Sequence, residues 1–175
     1  EPTPGTGAFL ESGGLVVMEV ENATGSAAGS ISDTWEIEAT PPGRVSGDSL
    51  IAQPNDGDNA GDSTNGPRLD YEVSFATTGT YTIHVRMYGS SGGDDSVHIG
   101  VDGSPLSYGQ YGVTDNSGSW VWKDSGPSGS LTFSVTSPGT RTINIWMRED
   151  GTRIDKILAT TDGGYDPGSI NGGLG

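Results

Sequence analysis

Glu19 and Glu21 stand two residues apart in the run LVVMEVEN, and Asp155 stands in RIDKIL near the other end of the chain. Residues at i and i+2 of a strand project from one face, so the two glutamates present a pair of carboxylates on one surface. In a sandwich of antiparallel strands the first and last commonly lie side by side, which would bring Asp155 to that pair. Three converging carboxylates repel one another unless a counter-charge neutralises them. Calcium suits the task, because it takes roughly six to eight hard oxygens and backbone carbonyls of the irregular segment 22–44 could complete its shell. The same acids on a solvated face need no metal, and the chain has 23 Asp and Glu to distribute.

A second concentration of charge falls in TRTINIWMREDGTRIDKILATTD, where Arg148, Glu149, Asp150, Arg153, Asp155 and Lys156 gather in a chain only 18% charged. Ile143, Ile145 and Met147 alternate with Asn144, Trp146 and Arg148. Beyond Asp150-Gly151, the series Ile154, Lys156 and Leu158 alternates with Arg153, Asp155 and Ile157. A period of two, interrupted by Asp-Gly, predicts an antiparallel hairpin with a tight turn. Its charged tip is either solvated or borders a site.

Other motifs carry less. GSSGG at 89–93 matches a nucleophile pattern but leads into a strand instead of the helix that gives the motif its meaning. His84 and His98 are the only histidines and sit on the polar faces of their strands, where surface or half-buried placement is expected; without cysteines, a zinc site or a Ser-His-Asp triad has little to build on. Asp56, Asp58 and Asp62 are not an EF-hand, since Ala60 and Pro67 stand where oxygen ligands belong. This acidic glycine-rich loop, Asp56 to Asp62, and the pair Asp94-Asp95 remain candidates for a further calcium. No catalytic residue is assigned.

The elements that must position these groups are strands. LDYEVSF presents Leu69, Tyr71, Val73 and Phe75 on one face, TYTIHVRMYG presents Tyr81, Ile83, Val85 and Met87, and SVHIGVDG presents Val97, Ile99 and Val101. Strands of about five to eight residues, turn signals about every ten, and no helical periodicity predict an all-β sandwich or jelly roll of two antiparallel sheets. With 175 residues, 30 glycines, 10 prolines and no cysteine, the chain reads as one turn-rich domain without disulfides. We place a linker at 1–13, the module at 14–163 and a tail at 164–175. A net charge of -15 disfavours nucleic acid, which needs Lys and Arg against its phosphates. No apolar run reaches the roughly 18 residues of a membrane span, and the N-terminus lacks the layout of a signal peptide, as expected of an excised fragment.

The order of these motifs resembles a known family. MEVEN at 18–22 looks like the Glu-x-Glu opening of carbohydrate-binding modules of families six and thirty-five, and IDKI at 154–157 like their closing strand. Between them, GPRLDYEVSFATTGTYTIHVRM at 66–87, DDSVHIGVDG at 94–103 and SWVWKDS at 119–125 keep the order of such modules. The resemblance covers residues 14–163. It implies a non-catalytic sandwich with structural calcium at Glu19, Glu21 and Asp155, and a sugar site in loops at one end, where an aromatic matching Trp120 stacks on a pyranose ring. Trp120 and Trp122 are two apart, where family six usually has its tryptophans three apart. Trp122 is expected in the core, and Trp146 is expected to cover the second sheet. Trp35, Tyr108 and Tyr111 are candidates for a second stacking ring, with Glu149 and Arg153, then Asp94 and Asp95, as polar neighbours.

The expectation is therefore a secreted, monomeric, calcium-stabilised module that targets a linked glycan-degrading enzyme to a plant or algal polysaccharide. A calcium-rigidified adhesion or structural domain that binds no sugar is the alternative, and a small jelly-roll lyase or hydrolase a third.

Overall fold

The inner faces of the sandwich are the alternating series read from the sequence. The computed structural model describes residues 7–61, 65–106, 112–127 and 129–168. In chain order the strands are β1 (Phe9–Leu10), β2 (Leu15–Glu19), β3 (Gly25–Ala27), β4 (Thr34–Glu38), β5 (Ser49–Gln53), β6 (Arg68–Phe75), β7 (Gly79–Tyr88) and β8 (Ser96–Val101). They continue as β9 (Ser104–Pro105), β10 (Val113–Thr114), β11 (Val121–Lys123), β12 (Ser125–Gly126), β13 (Gly129–Ser130), β14 (Thr132–Val135), β15 (Gly139–Met147) and β16 (Arg153–Thr160).

Two seven-stranded sheets face each other. The first runs β1-β6-β15-β8-β10, with β3 on β6 and β9 on β8; the second runs β11-β7-β16-β5-β4, with β14 on β7 and β2 on β16. Pairings are antiparallel except β1 with β6. Leu69, Tyr71, Val73, Phe75, Val97, Ile99, Ile143, Ile145 and Met147 from the first sheet meet Tyr81, Ile83, Val85, Met87, Met18, Leu50, Ile154 and Ile157 from the second, and every one is buried. Burial of apolar area on this scale, at roughly 25 cal/mol per Å², is the driving term for the fold.

Four expectations change. The strands on either side of Asp150-Gly151 do not form a hairpin: β15 belongs to the first sheet and β16 to the second, so residues 148–152 cross between sheets. Tight-turn chemistry is local, whereas the choice of partner is made by the apolar faces that the two sheets must bury together. Phe9–Leu10, placed in the linker, pairs with β6, and buried Glu11 holds this edge by accepting N–H bonds from Gly14, Ala76 and Thr77. His84 and His98 are both buried. The alternation in β16 breaks: Ile154 pairs with Met87 and Lys156 with Arg86, leaving Asp155 as an extra residue in a bulge.

β2 lies beside β16, as expected of first and last strands, with Glu19 opposite Lys156.

Candidate functional site

Because β7 sends Tyr81, Ile83, Val85 and Met87 inward, strand alternation turns His84, Arg86 and Tyr88 to the outer face of the second sheet. The bulge in β16 delivers two consecutive charged residues to the groups around Arg86. Asp155, 0% exposed, accepts from Arg86 Nη1 at 2.6 Å and from the Val45 N–H at 3.1 Å. Lys156 Nζ lies 2.8 Å from Glu19 Oε1 and donates to Ser46 Oγ, and Ser46 donates in turn to Glu19. Glu21 accepts the Asp48 N–H at 3.2 Å. Residues 45–48 thus touch all three carboxylates expected to hold calcium. Gly47 is needed there, since its φ is +63° and a Cβ would collide with the Glu21 carboxylate.

The electrostatics of the triad differ from three bare acids. Lys156 and Arg86 already supply positive charge, yet Glu19 Oε2, Glu21 Oε2 and Asp155 Oδ1 are buried without a hydrogen-bond partner. Burial pushes the Glu21 carboxyl above its ordinary range, and the charges of Glu19 and Asp48 add to this against the pull of backbone N–H groups.

Next to the triad a cleft of about 480 Å³ opens between residues 41–43, Arg86, Tyr88 and residues 118–120. The Arg86 guanidinium lies 5.3 Å from the centre of the Trp120 ring and donates to the Gly43 carbonyl at 2.9 Å. Tyr88 stands 5.6 Å from Trp120 at 55°. Trp120 Nε1 reaches the Pro41 carbonyl at 3.5 Å, and Gly43, at φ +103°, lets the chain pass where a Cβ would lie 3.3 Å from the indole. Arg153 sits 5.7 Å from the centre of the Tyr88 ring, fixed by Glu38 and the Gly151 carbonyl. Two aromatic rings held by cations and rimmed by backbone carbonyls make a surface that can stack a flat apolar ring and bond polar groups at its edge.

A second acidic assembly lies at the loop 54–61. Asp150 Oδ2 accepts the consecutive N–H groups of Asp56, Gly57 and Asp58 at 2.6, 2.7 and 3.1 Å. Asp33, 2% exposed, brings a carboxylate oxygen to this region, and neither of its oxygens has a partner. Burial pushes its carboxyl up to about 6, reinforced by the charges of Asp58, Asp150 and Asp56. One oxygen from each of Asp33, Asp56 and Asp58 lies within 4.8 Å of the others, and this is the one such group of three among the described residues.

Several residues, expected ligand contacts among them, fall elsewhere than the sequence placed them. Trp35 is a core residue, 3% exposed, with its indole N–H on the Pro67 carbonyl, so it offers no stacking face. Trp122 is not in the core: it pairs with Arg86 across β11 and β7 and is half-buried on the outer face. Trp146 lies on the outer face of the first sheet, buried beneath Arg68. Glu149 is buried against Arg148, Ser96 and Asn59. Burial pushes its carboxyl up, but bonds from Ser96 and Asp95 and the Arg148 charge outweigh this and hold it low; burial and its contact with Glu149 push Asp95 up to about 6. Asp94 is bonded by Ser90 and Ser91 at the surface. Tyr108 and Tyr111 lie outside the described residues.

Sequence reasoning missed Arg86, Tyr88 and Asp33. The first two were signalled by the polar and aromatic series opposite the core face of β7, whereas Asp33 sits in a segment without periodicity.

The sequence model of the glycosyl hydrolase family 115 C-terminal domain matches residues 8–172. The uncharacterized protein P23 of Formosa agariphila is 27% identical over 146 residues, covering 78% of this chain and 35% of that protein. An alpha-agarase of Thalassotalea agarivorans is 26% identical over 136 residues, covering 78% of this chain and 8% of the agarase. The chain therefore spans about a third of the first relative's length and under a tenth of the second's. Among solved structures, a family 35 carbohydrate-binding module of Clostridium thermocellum superposes with a TM-score of 0.57 at 14% identity, covering 83% of this chain and 96% of the module. The C-terminal family 6 module of a laminarinase of Zobellia galactanivorans gives 0.54 at 19% identity, covering 83% and 98%. The β-sandwich is thus the fold of carbohydrate-binding modules of families 35 and 6, and the chain belongs to the glycosyl hydrolase family 115 C-terminal domain family.

Proposed function

We propose that this domain binds a polysaccharide without catalysing a reaction, and that it serves as the secreted, monomeric targeting module of a covalently linked glycan-degrading enzyme. The observation that carries the reading is the Trp120 cleft. A flat indole flanked by Tyr88 and braced by Arg86 can cover the axial C–H face of a pyranose, while the carbonyls and hydroxyls at the rim exchange hydrogen bonds with its hydroxyls. Arg153 supports the cleft through Tyr88 while its charge is committed to Glu38. At a net charge of -15 the ligand is expected to be neutral. The name of the agarase relative makes agarose the first substrate to try, with xylan, cellulose and mannan beside it.

Calcium is part of this proposal. The three buried, unpartnered oxygens of Glu19, Glu21 and Asp155 are hard donors of the kind a calcium ion takes; they do not lie within 4.8 Å of one another as those of Asp33, Asp56 and Asp58 do, so an ion held by these residues would draw them together. The ion would supply charge to an acidic patch that Lys156 and Arg86 already balance in part. Chelation should lower the melting temperature, by mass action.

Pull-down on the four insoluble polysaccharides tests the reading. Trp120→Ala should abolish retention while leaving the melting temperature within a few degrees of wild type. Binding that survives this substitution, or a wild type that binds none of a wide glycan panel, counts against it.

A further inference from the structure

We propose that Asp33, Asp56 and Asp58, on a loop that Asp150 gathers by its backbone N–H groups, form a second calcium site, separate from Glu19, Glu21 and Asp155. Asp33 directly precedes β4, is 2% exposed, and has neither carboxylate oxygen in a hydrogen bond. Asp150 is 0% exposed; one oxygen gathers three consecutive N–H groups of residues 56–58, and the other, Oδ1, has no partner. A buried oxygen of Asp33 therefore faces the loop whose backbone Asp150 itself shapes, and that loop contributes Asp56 and Asp58. The oxygens of Asp33, Asp56 and Asp58 fall within 4.8 Å of one another, the span of two calcium–oxygen bonds of about 2.4 Å.

No Lys or Arg forms an ion pair with any of the four among the described residues. Three other buried acids are compensated, Asp155 by Arg86, Glu149 by Arg148, and Glu11 by three N–H donors, while Asp95 lies against Glu149. Asp150 likewise has three N–H donors, but Asp33 is buried with no partner on either oxygen, which is costly unless a cation or a proton neutralises it. Gly57 and Gly61, at φ +100° and +65°, give the loop backbone freedom that an irregular calcium shell tolerates and the strict octahedron of magnesium does not. Asp56 is exposed, which leaves one side open for water ligands.

The test is calorimetric titration of chelator-stripped protein at pH 7 with calcium chloride and, separately, magnesium chloride. Wild type is compared with Asp33→Asn, the surface variant Asp56→Asn, and Glu21→Gln. Asp33→Asn and Asp56→Asn should each weaken one equivalent of calcium at least tenfold, an equivalent that Glu21→Gln retains. In excess EDTA, Asp33→Asn should melt at or above wild type, because it removes a buried charge, and it should gain less from added calcium. Isotherms of wild type and Asp33→Asn that superimpose, or no calcium uptake by wild type at millimolar concentration, would mean that a proton neutralises Asp33, and the proposal fails. Loss of calcium in Glu21→Gln alone would uphold the triad and overturn this site.

Discussion

Arg86 joins the framework to the cleft, and replacing it with Met tests both roles. The substitution keeps most of the apolar stem but removes a charge lying 2.6 Å from Asp155, whose side chain is 0% exposed. Asp155 would keep the Val45 N–H at 3.1 Å, its Oδ1 has no partner to begin with, and the Gly43 carbonyl would lose its donor at 2.9 Å. Removing one member of a buried pair strands the other's charge, at about 3–5 kcal/mol. For a chain of this length each kcal/mol shifts the melting temperature by roughly 2–4 °C, so a fall of about 10 °C is expected. Arg86→Met combined with Asp155→Asn should recover much of the loss, since taking away both charges leaves none uncompensated. Thermal and urea unfolding in EDTA, followed by circular dichroism, measures all three variants. A cost below about 1 kcal/mol for Arg86→Met, or strict additivity in the double variant, would refute the assignment of Arg86 as the counter-charge of Asp155. In excess calcium, Asp155→Asn should lose metal-dependent stability that Arg86→Met keeps, which separates ligand from counter-charge.

Trp122→Ala, in contrast to a core tryptophan, should cost under about 2 kcal/mol, well below the roughly 3–5 kcal/mol of a buried large-to-small change, as read from urea unfolding. Glu11→Gln should release the N-terminal edge: it loses charge on an acceptor of three N–H bonds, costing about 1–3 kcal/mol and speeding amide exchange at Ala76 and Thr77. Without metal, the contribution of Asp33 to stability should rise on acidification. Burial pushes the folded Asp33 carboxyl up to about 6 from 3.8, so the folded state holds the extra proton between these values and gains as pH falls from about 7 to 4. Glu149 and Glu11, with lowered values, oppose this in total stability, so the quantity to measure is wild type minus Asp33→Asn; a difference flat with pH would refute the cause given for the shift.

How far the sequence reaches is clearest in β7 and β16. The period of two in TYTIHVRMYG assigns Tyr81, Ile83, Val85 and Met87 to the core, because neighbouring side chains of a strand must point to opposite faces. The same rule, carried past Gly151, fails at Asp155. A single extra residue against β7 shifts the register there and puts Asp155 against Arg86 rather than in line with the strand pattern. Apolar periodicity also identified most strands, and the usual sandwich topology the neighbouring of first and last, so the two glutamates and Asp155 do meet one loop, residues 45–48. It could not choose partners across Asp150-Gly151, where burial of two sheets outweighs a local turn preference. Nor could it show that Trp35, a candidate for a second stacking ring, is a core residue, since an isolated aromatic in a segment without periodicity shows its burial only once the sheets close over it. Asp33 marks the same limit: its composition is that of any surface acid, and tertiary structure alone brings it, desolvated and unpaired, to the loop that Asp150 folds.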